Sequence, residues 1–246
     1  MGAVLVTGAS RGIGASVAKR LAKTGFDLVL WSRTGQQLVE VAEECRREKV
    51  DVITAEVDVS DSEAVFDSGV RSIELAGELR GLVLNAGIGI WGKVAELSVD
   101  DWRQVVSTNL DGAFYTLRAC MPFLGKAAGA QIVTLGSDSS LYGYPTRSAY
   151  CASKSGLVGL VEALRRETRA DGLRISNVIL SRVDSYFRNK KPGARPQGLT
   201  TDEVAEAIEW IFSTKERLEV RELRLSALTE TFGVLPEFHD LGETRI

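Results

Sequence analysis

The amino-acid sequence predicts an α/β domain in which helices cover both faces of a mostly parallel, doubly wound sheet. Short apolar strands alternate with amphipathic helical segments along most of the chain. Strands that are almost continuously apolar are typical of a parallel sheet with both faces covered. A glycine-rich turn, TGASRGIG at positions 7–14, joins the first strand to the first helix. The 246 residues fit one such domain, so we expect a single domain over 1–246.

Seven strands and the helices between them follow from the hydrophobic pattern. The predicted strands are Ala3–Thr7, Asp27–Trp31, Asp51–Val57, Gly81–Asn85, Gln131–Leu135, Arg174–Leu180 and Glu222–Leu225. Apolar residues at helical spacing from Ile13 to Leu21 predict a helix after the first strand. Ser98, with Asp101 three residues later, predicts the start of a helix that runs to about Leu124. A sheet of this kind binds its ligands at the carboxyl ends of the strands.

Composition argues against several classes of function. The net charge of −3 is too small to indicate nucleic acid or an anionic membrane as the main partner. No apolar run approaches the roughly 18 residues that a membrane span needs. Cys45, Cys120 and Cys151 lie far apart, so neither a disulfide framework nor a metal site is predicted, and we expect a cytoplasmic protein. The single histidine, His239, is close to the C-terminus, so a serine–histidine–acid hydrolase is not expected.

The glycine-rich turn predicts a dinucleotide site. Its glycines follow the spacing G-x-x-x-G-x-G between a strand and an amphipathic helix. In such a turn the backbone can approach a pyrophosphate at the helix N-terminus, where the helix dipole favours an anion. The alternative is a glycine-rich connection that binds nothing. The predicted cofactor contacts in this turn are Gly8, Ser10, Arg11, Gly12, Ile13 and Gly14.

The end of the second strand favours NADP(H) over NAD(H). An NAD site normally places a carboxylate there to bind the ribose 2′-hydroxyl, but the chain has Trp31, Ser32 and Arg33. Arg33, together with Arg11, can bind a 2′-phosphate through charge-assisted hydrogen bonds. Alternatively, each arginine is a solvated surface charge.

Two more strand ends carry residues that we expect to contact the cofactor. Asp58 and Val59 follow the third strand, and Asn85-Ala86-Gly87 follows the fourth. Asp58 could accept a hydrogen bond from adenine, and the small residues of the second segment permit close backbone approach. The alternatives are that Asp58 caps the next helix and that Asn85-Ala86-Gly87 is an ordinary turn.

Three side chains in the stretch GSDSSLYGYPTRSAYCASK, residues 136–154, predict a reaction centre. Tyr150 and Lys154 are four residues apart near the start of a helix, so they share one face. An ammonium beside a phenol favours the phenolate and lowers its pKa, as general acid–base catalysis requires. Ser137 ends the preceding strand and can bind a substrate oxygen; Ser139 and Ser140 are rival candidates.

These motifs together resemble the short-chain dehydrogenase/reductase family, with its single Rossmann-type domain. The resemblance rests on TGASRGIG, LNAG, TNLDG at 108–112, and Ser137 with the Tyr150–Lys154 segment. It implies that Tyr150 donates a proton to a carbonyl or accepts one from an alcohol. It also implies that Lys154 lowers the pKa of Tyr150 and binds the nicotinamide ribose, that Ser137 orients the substrate, and that Asn109 supports a proton relay. It further implies a homodimer or homotetramer.

The chain departs from the family pattern after its sixth strand. Leu180-Ser181 stands where the family usually has proline-glycine, so we expect the turn that carries the candidate cofactor contacts Val183 and Ser185 to follow a different path. The last strand, in ELRLSALTETFG, is more similar to relatives of 3-hydroxy acid dehydrogenases.

The long irregular segment 182–200 is predicted to be a substrate lid, with disorder as the alternative. It carries five basic residues against one acid, which suggests an anionic or carrier-bound substrate; a solvated charged loop is the alternative. Aromatic residues expected near the same pocket are Trp91, Tyr142, Tyr144, Tyr186 and Phe187.

The sequence therefore predicts an NADP(H)-dependent oxidoreductase that interconverts a ketone and a secondary alcohol. A 3-oxoacyl (acyl-carrier) reductase or a 3-hydroxy acid dehydrogenase is the alternative enzyme. A sugar-nucleotide epimerase or dehydratase fits the Tyr–Lys pair but usually has a larger C-terminal domain. An NADP-binding sensor without turnover is the alternative that is not an enzyme.

Overall fold

The computed structural model describes residues 2–124 and 129–228, and these form one parallel seven-stranded sheet with helices on both faces. The strands of this sheet, in chain order, are β1 Ala3–Thr7, β2 Leu28–Ser32, β3 Val52–Glu56, β4 Leu79–Leu84, β5 Gln131–Ser137, β6 Arg174–Leu180 and β9 Glu222–Leu225. Two short strands between β6 and β9, β7 Val183–Asp184 and β8 Leu199–Thr200, form a separate pair. Their order across the sheet is β3-β2-β1-β4-β5-β6-β9, and every neighbouring pair is parallel. The predicted doubly wound fold is confirmed. His239 lies outside the described residues.

Eight α-helical segments alternate with the strands in the described part of the chain. They are α1 Gly12–Lys23, α2 Gly35–Arg46, α3 Ser62–Ala64, α4 Val70–Ala76, α5 Val99–Val106, α6 Gly112–Cys120, α7 Ser148–Glu167 and α8 Thr201–Ser213. Leu21, Leu38 and Ile208 place α1, α2 and α8 in one apolar layer. Leu117 and Leu157 place α6 and α7 in the layer on the opposite side of the sheet. None of the helices described is both long and apolar enough to cross a membrane.

The predicted helix after Ser98 is present but is interrupted. The Ser98 hydroxyl caps α5 by accepting a hydrogen bond from the Asp101 N–H at 3.0 Å. A π-helical turn over Ser107–Asp111 separates α5 from α6, and the helix ends at Cys120 instead of near Leu124. Such turns widen the helix by one residue and occur often at functional sites.

The predicted lid is ordered by a carboxylate and a guanidinium of its own. Strands β7 Val183–Asp184 and β8 Leu199–Thr200 pair in parallel at its two ends. The Asp184 carboxylate accepts hydrogen bonds from the backbone N–H groups of Gly193 and Arg195. Arg195 in turn donates to backbone carbonyls within the segment, those of residues 183, 185 and 187. The segment is therefore a compact loop.

A buried arginine connects α7 to the far edge of the sheet. Arg165 is 5% exposed and donates to the carboxylates of Glu162 and Glu219. It also donates to the carbonyls of Ile175 and Arg221, on β6 and just before β9. Because a buried charge is stable only when its hydrogen bonds are made, this network fixes the position of α7 against the last strands.

Replacing this arginine should destabilise the fold. Arg165→Met removes the guanidinium while keeping most of the apolar volume, and Glu219 and two backbone carbonyls each lose one hydrogen-bond donor. We expect the free energy of unfolding, measured by urea titration, to fall by about 3 kcal/mol. Arg166→Met, one position along on the exposed side of the same helix, is the control and should change it by less than about 0.5 kcal/mol. Equal stability of the two variants would contradict the assignment.

Candidate active site

The carboxyl end of β1 is bound to that of β4 through side chains. The Thr7 hydroxyl accepts hydrogen bonds from the backbone N–H groups of Asn85 and Ala86, both at 3.0 Å. The Asn85 amide donates to the carbonyls of Thr7 at 2.8 Å and Gly8 at 3.1 Å. Asn85 therefore fixes the start of the glycine loop. Thr7 was not among the predicted site residues, although its position at a strand end next to Gly8 is a usable signal.

The glycine loop has the shape and the open donors that a pyrophosphate requires. Gly8 and Gly12 adopt positive φ angles of 64° and 60°, which glycine tolerates best. A Cβ at Gly14 would lie 2.4 Å from the Gly8 carbonyl oxygen, so only glycine fits there. Arg11 precedes α1 without a side-chain capping bond, and the first turn of α1 contains no acid. The orphan N–H groups of this helix start therefore fit an anionic group.

Hydroxyl groups and one arginine surround the end of β2. The Ser32 and Thr34 hydroxyls both bind the Ser10 hydroxyl, at 2.8 and 2.9 Å. The side chain of Arg33 is 52% exposed, and its Nη1 lies 3.8 Å from Asp58 Oδ2. Within the described residues no other ion pair of Arg33 is present. The end of β2 therefore presents a half-exposed cation beside a cluster of hydroxyl groups.

Three other residues that were predicted to contact the cofactor lie near this loop: Asp58, Arg11 and Ser185. Asp58 closes a turn by accepting from the N–H and hydroxyl of Ser60, and the helix cap itself is Asp61. The Arg11 guanidinium lies 5.5 Å from the centre of the Tyr186 ring. Ser185 is buried and its Cβ faces Gly12, so the segment 182–200 lies against the glycine loop.

The π-helical turn brings Asn109 into the centre of the site. Its Oδ1 accepts from the Ile88 N–H at 2.8 Å, and its Nδ2 donates to the Ile88 carbonyl at 2.9 Å. Nδ2 also donates to the Ser153 hydroxyl at 3.0 Å. Gly87 lies beside both Asn109 and Lys154, since a Cβ at this glycine would be 3.2 Å from Asn109 Oδ1. The amide thus connects the loop after β4 to α7.

Lys154 and Tyr150 point from the first turns of α7 toward the end of β5. Lys154 is 5% exposed, and its Nζ donates to the Leu135 carbonyl at 2.7 Å. It lies 5.9 Å from the centre of the Tyr150 ring. The Tyr150 phenol shares a hydrogen bond with Ser137. The geometry brings together all four predicted catalytic candidates, Ser137, Tyr150, Lys154 and Asn109.

The two rival serines have other surroundings. The Ser140 hydroxyl donates to the Ser137 carbonyl at 2.6 Å. The Ser139 hydroxyl is buried and has no hydrogen-bond partner among the described residues, while its N–H donates to Ser137 Oγ at 3.2 Å. Ser137 is therefore the serine that contacts the phenol.

Burial opposes ionisation of both the tyrosine and the lysine. It raises the pKa of Tyr150 to about 12, and the Ser137 hydrogen bond and the charge of Arg147 offset this only in part. It also lowers the pKa of Lys154 to about 8. The expectation that a neighbouring ammonium would lower the pKa of Tyr150 is thus not met, because desolvation outweighs the nearby charges.

Two aromatic side chains cover Tyr150. The Trp91 ring lies 5.1 Å from the Tyr150 ring in an edge arrangement, and the Phe187 ring, in the predicted lid, lies 5.6 Å from it. Both were expected near the pocket. Val183, also in the lid, packs against the apolar core. The sequence reasoning did not single out Arg147, whose guanidinium lies 5.3 Å from the Trp91 ring centre.

Comparison with known protein families agrees with the motifs and their geometry. The family model for short chain dehydrogenase matches residues 2–195. The chain belongs to the short-chain dehydrogenase/reductase family. It is 31% identical to a 3-oxoacyl-[acyl-carrier-protein] reductase of Aggregatibacter actinomycetemcomitans, over 89% of this chain and 95% of the relative. It is 33% identical to a sulfoacetaldehyde reductase of Chromohalobacter salexigens, over 77% and 76%.

Solved structures of short-chain dehydrogenases have the same fold. An alcohol dehydrogenase from the archaeon Thermococcus sibiricus, complexed with 5-hydroxy-NADP, is 30% identical with a TM-score of 0.89. The similarity covers 95% of this chain and 99% of that one. The family membership establishes an oxidoreductase of alcohols and carbonyl compounds as the general activity.

The buried lysine should make stability depend on pH in a defined direction. The pKa of Lys154 is about 8 in the folded protein against 10.5 for an exposed lysine. Between these values the unfolded chain binds more protons at this position, so the free energy of unfolding rises with pH. Relative to Lys154→Met, the unaltered protein should gain roughly 2–3 kcal/mol across this window and show no trend below it.

Urea unfolding of both proteins at a series of pH values measures this difference. Lys190→Met is the matched control, because Lys190 is exposed and its removal should give a pH profile parallel to that of the unaltered protein. If Lys154→Met also gave a parallel profile, the lysine would not be desolvated in solution.

Proposed function

We propose that this short-chain dehydrogenase is an NADP(H)-dependent oxidoreductase that reduces a carbonyl compound to a secondary alcohol, or catalyses the reverse. The observation that carries the proposal is the Tyr150 phenol, which is hydrogen-bonded to Ser137 at the carboxyl edge of the sheet and covered by Trp91 and Phe187. A phenol placed in this way, beside an open glycine loop, suits proton transfer to a bound carbonyl oxygen.

The residues divide the chemistry between them. A nicotinamide cofactor, when bound, supplies the hydride. Tyr150 donates its proton to the carbonyl oxygen, and its raised pKa keeps the phenol in the donor form at neutral pH. The Ser137 hydroxyl binds the same oxygen and holds it near the phenol. Lys154 and Asn109 lie behind Tyr150 and return a proton to it through the interior of the site.

NADP(H) is proposed as the cofactor because of the charges at the end of β2. Arg33 is half exposed, the hydroxyls of Ser10, Ser32 and Thr34 lie together, and no acid follows Trp31 before the next helix. The Thermococcus alcohol dehydrogenase holds an NADP derivative, whereas a similar fold, a carveol dehydrogenase of Mycobacterium avium, holds NAD. The glycine-loop and strand-end contacts predicted from the sequence would hold the cofactor.

Two features support more specific versions of the proposal. One relative is named for a 3-oxoacyl carrier-protein substrate and another for sulfoacetaldehyde. Both names favour an acidic or carrier-bound substrate.

Exposed aromatic side chains favour a homo-oligomer. Trp102 on α5 and Phe114 on α6 are 40% and 43% exposed, and an assembly through these helices and α7 would cover them. We also propose a cytoplasmic location.

Removing the phenolic hydroxyl tests the proposed proton donor. NADPH consumption should be followed with simple ketones, 3-oxo acids, acyl thioesters and cyclic ketones. Tyr150→Phe should lower kcat by about 10²- to 10⁴-fold while NADPH binding is kept. Tyr115→Phe makes the same chemical change in the Phe66–Phe114 cluster and should leave turnover unchanged. NADPH binding without turnover of any carbonyl would favour the sensor alternative.

A second substitution tests the cofactor preference. Arg33→Ala removes the proposed 2′-phosphate donor, so the Kd of NADPH should rise about 10- to 100-fold and that of NADH should hardly change. Arg47→Ala, an exposed arginine at the end of α2, is the control. Isothermal titration of both cofactors measures the effect. Equal affinities for NADH and NADPH in the unaltered protein would contradict the preference.

A further inference from the structure

Two arginines from separate segments lie over the same tryptophan at the edge of the candidate active site. The guanidinium carbon of Arg188, in the lid, is 4.6 Å from the Trp91 ring centre, and that of Arg147, just before α7, is 5.3 Å from it. Arg147 also lies 4.7 Å from the Tyr144 ring centre. The Trp91 ring also contacts the Tyr150 ring. The Trp91 ring therefore lies between each cation and the phenol.

Neither guanidinium has a carboxylate partner within residues 2–124 and 129–228. The two charges instead repel each other: partial burial lowers the pKa of Arg188, and the charge of Arg147 lowers it further. Stacking on an indole leaves the N–H groups at the edge of each guanidinium free to donate. Two such cations at one ring favour a bound anion.

The backbone has an unfavourable conformation at Arg188 and at the residue before Arg147. Four non-glycine residues have positive φ among the residues described, and three of them belong to these segments: Thr146, Arg188 and Asn189, at 65°, 59° and 55°. Such conformations persist only where the surroundings enforce them, and they cluster at functional sites. The Thr146 carbonyl accepts a hydrogen bond from the Gly92 N–H at 2.9 Å, which ties Arg147 to the Trp91 loop.

The other cations of the lid are placed differently. Arg195 donates to carbonyls of the lid itself. Lys190 and Lys191 are exposed, and neither makes a cation–π contact with Trp91 in the described structure. Arg188 is thus a basic residue of the lid that lies over Trp91, the ring that contacts Tyr150.

We propose that Arg147 and Arg188 form an anion subsite that binds the acidic group of the substrate. The substrate class is then a small carbonyl compound with a carboxylate or sulfonate a few bonds from the carbonyl carbon. The subsite rests on the proposed oxidoreductase function, because it places the acidic group relative to Tyr150. A small anion fits better than a carrier protein, since only one aromatic ring separates the cations from the phenol.

Matched acid and ester substrates test the subsite. The probes are 3-oxobutanoate and 4-oxopentanoate, each compared with its methyl ester in NADPH-coupled assays. The unaltered protein should have a higher kcat/KM for the acids. Arg188→Gln and Arg147→Gln should each reduce the acid-to-ester ratio of kcat/KM by about 10- to 100-fold, mainly through the KM of the acid. The ratio is used because Arg147 also affects the pKa of Tyr150.

The control removes equal charge from the same lid. Lys190→Gln combined with Lys191→Gln should leave the acid-to-ester ratio unchanged. Loss of the preference in this double variant, with the arginine variants unaffected, would assign anion binding to the lysines and overturn the proposal. Acids and esters turned over equally by the unaltered protein would also overturn it. A loss confined to a 3-oxoacyl carrier-protein substrate would mean that the arginines bind the carrier, which overturns the small-anion assignment.

A binding measurement separates failure of the subsite from failure of the proposed function. If no carbonyl compound is turned over, titration calorimetry with 4-hydroxypentanoate still reports on the two arginines. Weaker binding in both arginine variants, but not in the double lysine variant, would support the subsite and leave only the oxidoreductase proposal overturned. Undiminished binding in the arginine variants would overturn the subsite itself.

Discussion

The side-chain amide of Asn109 is the interaction on which the geometry of the site depends. It is 2% exposed and hydrogen-bonds both backbone groups of Ile88 as well as the Ser153 hydroxyl. A buried amide without these partners would be strongly unfavourable. The loop after β4, the π-helical turn and α7 can therefore meet in only one relative position. Because Lys154 follows Ser153 directly and Tyr150 lies one helical turn earlier, this one amide also sets their placement.

The same burial that fixes the geometry determines the protonation states. Desolvation raises the pKa of Tyr150 to about 12 and lowers that of Lys154 to about 8, so it shifts each group toward its neutral form. A neutral phenol suits proton donation, which is the step that carbonyl reduction requires. Alcohol oxidation needs the phenolate instead, and it therefore depends more strongly on positive charge near Tyr150.

The parts of this protein that the sequence predicts are those encoded by local patterns. The apolar strand runs, the glycine spacing and the four-residue separation of Tyr150 and Lys154 each depend on neighbours along the chain. The pKa of Tyr150 could not be predicted in the same way, because it sums burial and charges from several segments. The pairing of Arg147 with Arg188 was missed for the same reason, since it exists only when the lid and the Trp91 loop meet α7.

Arg147 links substrate charge to acid–base chemistry at this site. It is the nearby cation that favours ionisation of Tyr150, and it is also one of the two arginines over Trp91. An anion bound between Arg147 and Arg188 would offset that positive charge, which raises the pKa of the phenol further and favours its protonated form. Binding an acidic carbonyl compound would thus make Tyr150 a weaker acid. A neutral substrate would leave the charge of Arg147 uncompensated, so the two arginines would act on the acidity of Tyr150 as well as on substrate choice.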